Sequence, residues 1–182
     1  MLFRSLAEIG ELRGVTPLVA MIDLSIEENL RAHFLAADMG HNIDDVVGPL
    51  LNDERVMIGA SDGGAHILSF STYGDTGYLF SRFVRDNAQI SIEAAVHKIT
   101  QAPAKIWNIQ DRGVIAPGNI ADITIFDANI IGRGDEYYVQ DVPGEGFRYV
   151  RDALGIQQVL VSGKVAYSSA DGYSGEACGQ IV

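Results

Sequence analysis

The chain has 182 residues, 47% hydrophobic and 20% charged, the balance of a folded globular protein rather than a disordered one. A net charge of −11 with no basic stripe excludes a nucleic-acid binder. The single cysteine, Cys178, excludes an internal disulfide and a Cys-x-x-Cys zinc site, and no run approaches the roughly 20 apolar residues of a membrane span.

The first residues carry Arg4, Glu8, Glu11 and Arg13 at helical spacing, which is not the uninterrupted apolar stretch of a signal peptide, so a cytoplasmic location is expected. Ser5-Leu6-Ala7-Glu8 reads as a capping box, and Thr16-Pro17 as a second helix start with proline in the first turn. Ser25-Ile26-Glu27-Glu28 reads as another capping box, leading a helix with Ile26, Leu30 and Phe34 on one side. Asn42 is expected to cap a short helix holding Ile43, Val46, Val47 and Leu50.

The period then changes. Val56-Met57-Ile58-Gly59-Ala60 is a continuous apolar run ending in Ser61-Asp62-Gly63-Gly64, the pattern of a buried parallel strand with a tight loop at its C-terminal end. Tyr78 to Asn87 reads as helix, and Ser91 caps another through about Ala102, with a brief restart after Pro103 to Ile106 and Trp107. From Gly113 the chain turns to β structure. Ile115-Ala116-Pro117-Gly118 is a turn, Ala121 to Phe126 a strand, and residues 128–155, rich in glycine and acids, an irregular surface excursion. Val159-Leu160-Val161 and Lys164-Val165-Ala166-Tyr167 flank Ser162-Gly163 as a β-hairpin.

One place is built for chemistry. Asp62 stands where an apolar strand ends, with His66 four residues on, and catalytic groups of (β/α) barrels gather at such strand ends. A carboxylate there can take a proton from water and deliver it to a leaving amine. Taken alone, Asp-Gly-Gly after a strand is simply a turn.

The segment Ile58-Gly59-Ala60-Ser61-Asp62-Gly63-Gly64-Ala65-His66 resembles the last-barrel-strand motif of the D-aminoacylase (N-acyl-D-amino-acid deacylase) branch of the amidohydrolases. Three further segments are similar to that family in the same order. Ser91 to Ala104 resembles its "SLEEAVRKLTSxPA" helix, Asp111 to Asp127 its "DRGxIxPGxxADLVVFD" segment, and Gln158 to Val165 its "xVLVNGxV" hairpin. Gly175 and Gly179 fit the family's ending loosely, without its proline.

The resemblance implies an α/β fold: the C-terminal segment of a (β/α)8 metal-dependent hydrolase barrel, comprising helices, the last strand and the last helices over residues 1–110. Strands of a small composite β domain would follow over 111–182, leaving the barrel incomplete. It also implies zinc chemistry on a linear amide such as an N-acyl-D-amino acid, with Asp62 as proton shuttle beside the metal and as a metal ligand, and His66 near the site. Asp122 matches an aspartate at the start of a family strand, for which capping or pairing is the expected role.

The family's His-x-His has no counterpart here, and the histidines at 33, 41, 66 and 97 are scattered, with His33 and His97 expected in helices. Zinc needs three or four converging ligands, so this chain alone is expected to bind no metal and to be inactive alone. The implied partners are a small-molecule amide and either further copies of this chain, as a homo-oligomer, or a partner supplying the N-terminal barrel, with neither nucleic acid nor membrane. Two alternatives stand beside this reading: a non-catalytic oligomeric α/β structural or interaction module, and an amidohydrolase acting on a cyclic amide. Cys178 is expected to be a bystander, and the Tyr137-Tyr138 pair is expected to pack ordinarily rather than line a surface groove.

Overall fold

The computed structural model describes residues 4–34, 43–59, 62–65, 68, 71 and 73–181. The chain divides into two units, Met1–Gly40 and His41–Val182.

The first unit is a pair of helices, α1 (Leu6–Arg13) and α2 (Pro17–Glu27). Both starts follow local sequence. Ser5 and Glu8 satisfy each other's backbone N–H groups, and the Thr16 side chain accepts from Val19 N ahead of Pro17. A fork between Arg13 and Glu27, at 2.7 and 3.0 Å, ties the two helices together. The expected helix start at Ser25 is not used. Ser25 lies inside α2, where its hydroxyl donates to the Met21 carbonyl at 2.7 Å, because the helix begun at Thr16 is still running. Helix α2 ends near Glu28, so His33 stands in a non-helical stretch rather than in a helix.

In the second unit, helix α3 (Asp44–Asn52) is followed by the extended segment Val56–Gly59, then α4 (Asp75–Tyr78), which passes directly into a π-helix over Leu79–Asp86. Asn42, the expected cap of α3, lies outside the described residues. Helix α5 (Ile92–Ile99) is capped by Ser91, whose side chain accepts from Ala94 N, and α6 (Gln101–Ile106) follows after a break at Thr100. The apolar core is formed by Leu79, Phe80, Phe83, Ile90, Ala95 and Ile131. Phe80 meets Phe126 with ring centroids 5.2 Å apart, which joins the helical part to the β part.

The β part holds a four-stranded antiparallel sheet in the order β1 (Ile123–Phe126), β6 (Ile156–Val161), β7 (Lys164–Ser168), β8 (Gly172–Tyr173). Ile123 pairs with Leu160, and Val161 with Lys164 around the turn. Ser162 and Gly163 both take positive φ, 51° and 76°, the conformation that two-residue hairpin turns require.

Two readings of the sequence change here. Residues 128–155 are not irregular. They contain β2 (Gly132–Arg133) paired with β5 (Ala153–Leu154), and between these a hairpin of β3 (Tyr137–Val142) and β4 (Gly146–Val150). The turn Pro143-Gly144-Glu145 closes that hairpin, and cross-strand partners such as Tyr138 and Tyr149 give it a ladder despite its many acids. Of the buried strand expected over Val56 to Ala60, residues 56–59 are described; they are extended but have no ladder partner among the described residues. Their exposure alternates: Ile58 packs against the core while Met57 is 38% exposed. A parallel strand is buried on both faces only when layers cover both, and here one face is covered.

Candidate active site

Three things fix the approach to Asp62. Ile58 seats the extended segment on the core. Lys98, on α5 and only 8% exposed, donates to the carbonyls of Asp53 and Val56, the latter at 2.6 Å, backbone groups that no strand pairs among the described residues. The Asp62 carbonyl then accepts the Ala65 N–H at 3.0 Å, closing a turn through Gly63 and Gly64. Asp62 itself has φ 58°, a left-handed conformation that aspartate tolerates better than most residues. The residue is exposed and lies three positions after the last described residue of the extended segment 56–59.

His66, the other expected catalytic residue, and His41 lie outside the described residues. His97 is exposed on α5 and His33 is exposed beyond α2. Among the described residues, no group of three or more His, Cys, Asp or Glu side chains comes together to hold a metal ion. Asp62 is one donor where zinc needs three or four, so the described residues do not by themselves fit a zinc site.

Asp122 takes the structural role expected of it. Its carboxylate accepts the Ser162 N–H and Arg112 Nε, both at 2.7 Å, locking the start of β1 to the β6–β7 turn. The Ser162 amide first, then the Arg112 guanidinium, hold its pKa below the usual value. Tyr137 donates to Asp152 at 3.0 Å, which raises the phenol's pKa, and Cys178 donates weakly to the Glu176 carbonyl.

A cavity of about 390 Å³ lies between α5, β1 and residues 113–122, with walls that include Phe80, Val96, Ile99, Ile115 and Phe126. Asp62 is not among its lining residues, and Asp122 on its wall is already engaged. This cavity offers apolar volume rather than acid–base chemistry.

Lys98 and Glu136 were not singled out in the sequence. Lys98 had a visible signal, since it sits three residues after the buried Ala95 on the inward face of α5. Glu136 had none. Its oxygen accepts the backbone N–H of Ser71, 65 residues earlier, at 2.6 Å.

Among the described residues, no helix is long and apolar enough to cross a membrane. The Amidohydrolase family model matches residues 1–167 of the chain. N-acyl-D-glutamate deacylase of Alcaligenes xylosoxydans xylosoxydans is 32% identical over 98 residues, which covers 54% of this chain and 18% of that protein. Two solved structures share the fold. A D-aminoacylase variant in complex with copper chloride superposes with TM-score 0.57 at 22% identity, covering 98% of this chain and 34% of that one. N-acyl-D-glutamate deacylase from Bordetella bronchiseptica, complexed with zinc and a phosphonate inhibitor, gives 0.53 at 24% identity, covering 97% and 33%. The chain thus spans 18% of the curated deacylase and about a third of the solved chains. It belongs to the amidohydrolase family, and its fold is that of part of a D-aminoacylase-like chain.

Proposed function

We propose that this chain carries the proton-transfer aspartate of an amidohydrolase that cleaves a linear amide such as an N-acyl-D-amino acid. Asp62 takes a proton from the attacking water as the new C–O bond forms, then gives it to the amine nitrogen as the C–N bond breaks. The observation that carries this reading is the position of Asp62 in a turn shortly after the anchored segment 56–59, in a chain that matches the family over residues 1–167. Residues 1–110 would form the end of a barrel and 111–182 a small β domain. His66 would face the same site, and the further groups of the active site would come from residues outside this chain. A cytoplasmic location and a small amide substrate accompany this reading.

The test supplies the chain with a matching N-terminal barrel segment and assays hydrolysis of N-acetyl-D-amino acids. Hydrolysis by the pair, absent with Asp62→Asn, supports the proposal, and no hydrolysis by the pair overturns it.

A second reading, a non-catalytic oligomeric module, is favoured by one observation: α2 exposes Leu18, Ile22 and Ile26 at 64%, 48% and 65%. Light scattering separates the two, because the module reading requires a stable dimer or larger assembly without metal, and a monomer sinks it.

A further inference from the structure

We propose that the β3–β4 hairpin with its flanking residues positions Ser71 and residues 73–78 beside the Asp62 turn, and that Glu136 is the principal positioning residue. The inference rests on the reading of Asp62 as the proton-transfer group.

Contacts from residues 132–151 reach this stretch at several points. At Ser71, 6% exposed, the backbone N–H donates to Glu136 Oε2 at 2.6 Å. The same oxygen accepts Arg151 Nη2 at 3.2 Å, so one carboxylate holds a buried amide and a guanidinium together. A hydrogen bond to an ionised acceptor is stronger than a neutral one, and it would be costly to leave that amide unpaired.

Two residues on, the Tyr73 hydroxyl lies 3.9 Å from where a Cβ on Gly64 would stand, so Tyr73 abuts the Asp62 turn. Arg148 of β4 is gripped by both oxygens of Asp141 at 2.8 Å, and its pKa is raised by Asp141 first and by the nearby Tyr73 in smaller part. Further along, Arg133 stacks 4.1 Å from the Tyr78 ring centroid, and Gly77 packs so closely on the Gly132 carbonyl that a Cβ there would clash. A hairpin that merely covered the core would not need a charged acceptor on one buried amide.

Amide hydrogen exchange on the chain, without substrate, tests the clamp. With Glu136→Ala, exchange at Ser71 and Tyr73 is expected to rise about tenfold, with α5 and β6 unchanged. Glu136→Gln keeps a carbonyl acceptor and should recover most of the protection. Unchanged exchange at Ser71, or equal acceleration in α5 and β6, would overturn the proposal. If Glu136→Ala does not fold, Tyr73→Phe probes the same clamp from the other side: faster exchange at Ala65 supports it and unchanged exchange overturns it.

Positioning also has a kinetic signature in the reconstituted pair. Glu136→Ala should lower kcat about tenfold with KM nearly constant, and Glu136→Gln should restore it. Faster exchange with unaltered kcat would overturn the positioning role. An Asp62 reading that fails appears as absent hydrolysis with the exchange pattern intact, so the two failures are distinguishable.

Discussion

The ammonium of Lys98 and the carbonyl of Val56 are 2.6 Å apart, joining the inward face of α5 to the start of the segment that delivers Asp62. A lysine 8% exposed persists because its protons go to two backbone carbonyls, those of Val56 and Asp53, that no strand pairs among the described residues. Lys98→Met keeps the volume and removes both bonds, so it should cost about 2 kcal/mol in a guanidinium titration. A cost near zero would mean that water satisfies these carbonyls equally well.

Asp122 should give the chain part of its acid sensitivity. Its folded pKa is held below the ordinary aspartate value of 3.8 by the Ser162 amide first and then by Arg112. Stability from a depressed carboxyl is present above its unfolded pKa and is lost as pH falls through the lowered folded value. Asp122→Asn should therefore be less stable than the parent at pH 7, with the gap closing as the pH is taken below 3.8. A gap that stayed constant with pH in urea titrations would assign the effect to the hydrogen bond to Ser162 rather than to charge.

Gly155 and Gly163 share φ 76° but differ in surroundings. A Cβ on Gly155 would stand 2.6 Å from Ile131 N, whereas one on Gly163 would meet only Ala121 Cβ at 4.0 Å. Gly163→Ala should cost about 1–2 kcal/mol, the backbone term alone. Gly155→Ala should cost more, since Ile131 belongs to the core and the β2–β5 junction must shift. Equal melting shifts for the two would contradict this ordering.

Asp62→Asn should separate chemistry from folding. Asparagine tolerates the left-handed φ of 58°, so stability should change by less than about 0.5 kcal/mol. Hydrolysis by the reconstituted pair should fall by a factor on the order of 10² to 10⁴. A variant that unfolds would instead place Asp62 among the residues that hold the fold.

Metal analysis of the chain purified without added metal or a histidine tag should find far less than about one zinc per chain, since three or four ligands must converge. About one zinc per chain, lost with Asp62→Asn, would show that a site assembles from these residues or between copies.

The features legible in the sequence are those whose partners lie a few residues apart. Ser5 with Glu8, Thr16 before Pro17, Ser91 before Ala94 and the Ser162-Gly163 turn each close a hydrogen bond over two or three positions, so residue type and spacing suffice. The candidate Asp62 stands out in the sequence as a carboxylate where an apolar run stops. Tertiary structure decided the rest. That Ser25 continues a helix instead of starting one depends on Thr16 nine positions earlier. The β3–β4 ladder exists because Tyr137 meets Val150 and Tyr138 meets Tyr149, pairings hidden among glycines and acids. The anchors around the Asp62 turn, Lys98 to Val56 and Glu136 to Ser71, span 42 and 65 residues. No local periodicity encodes such bonds, because they arise only when packing removes water from a backbone group and leaves one side chain able to replace it.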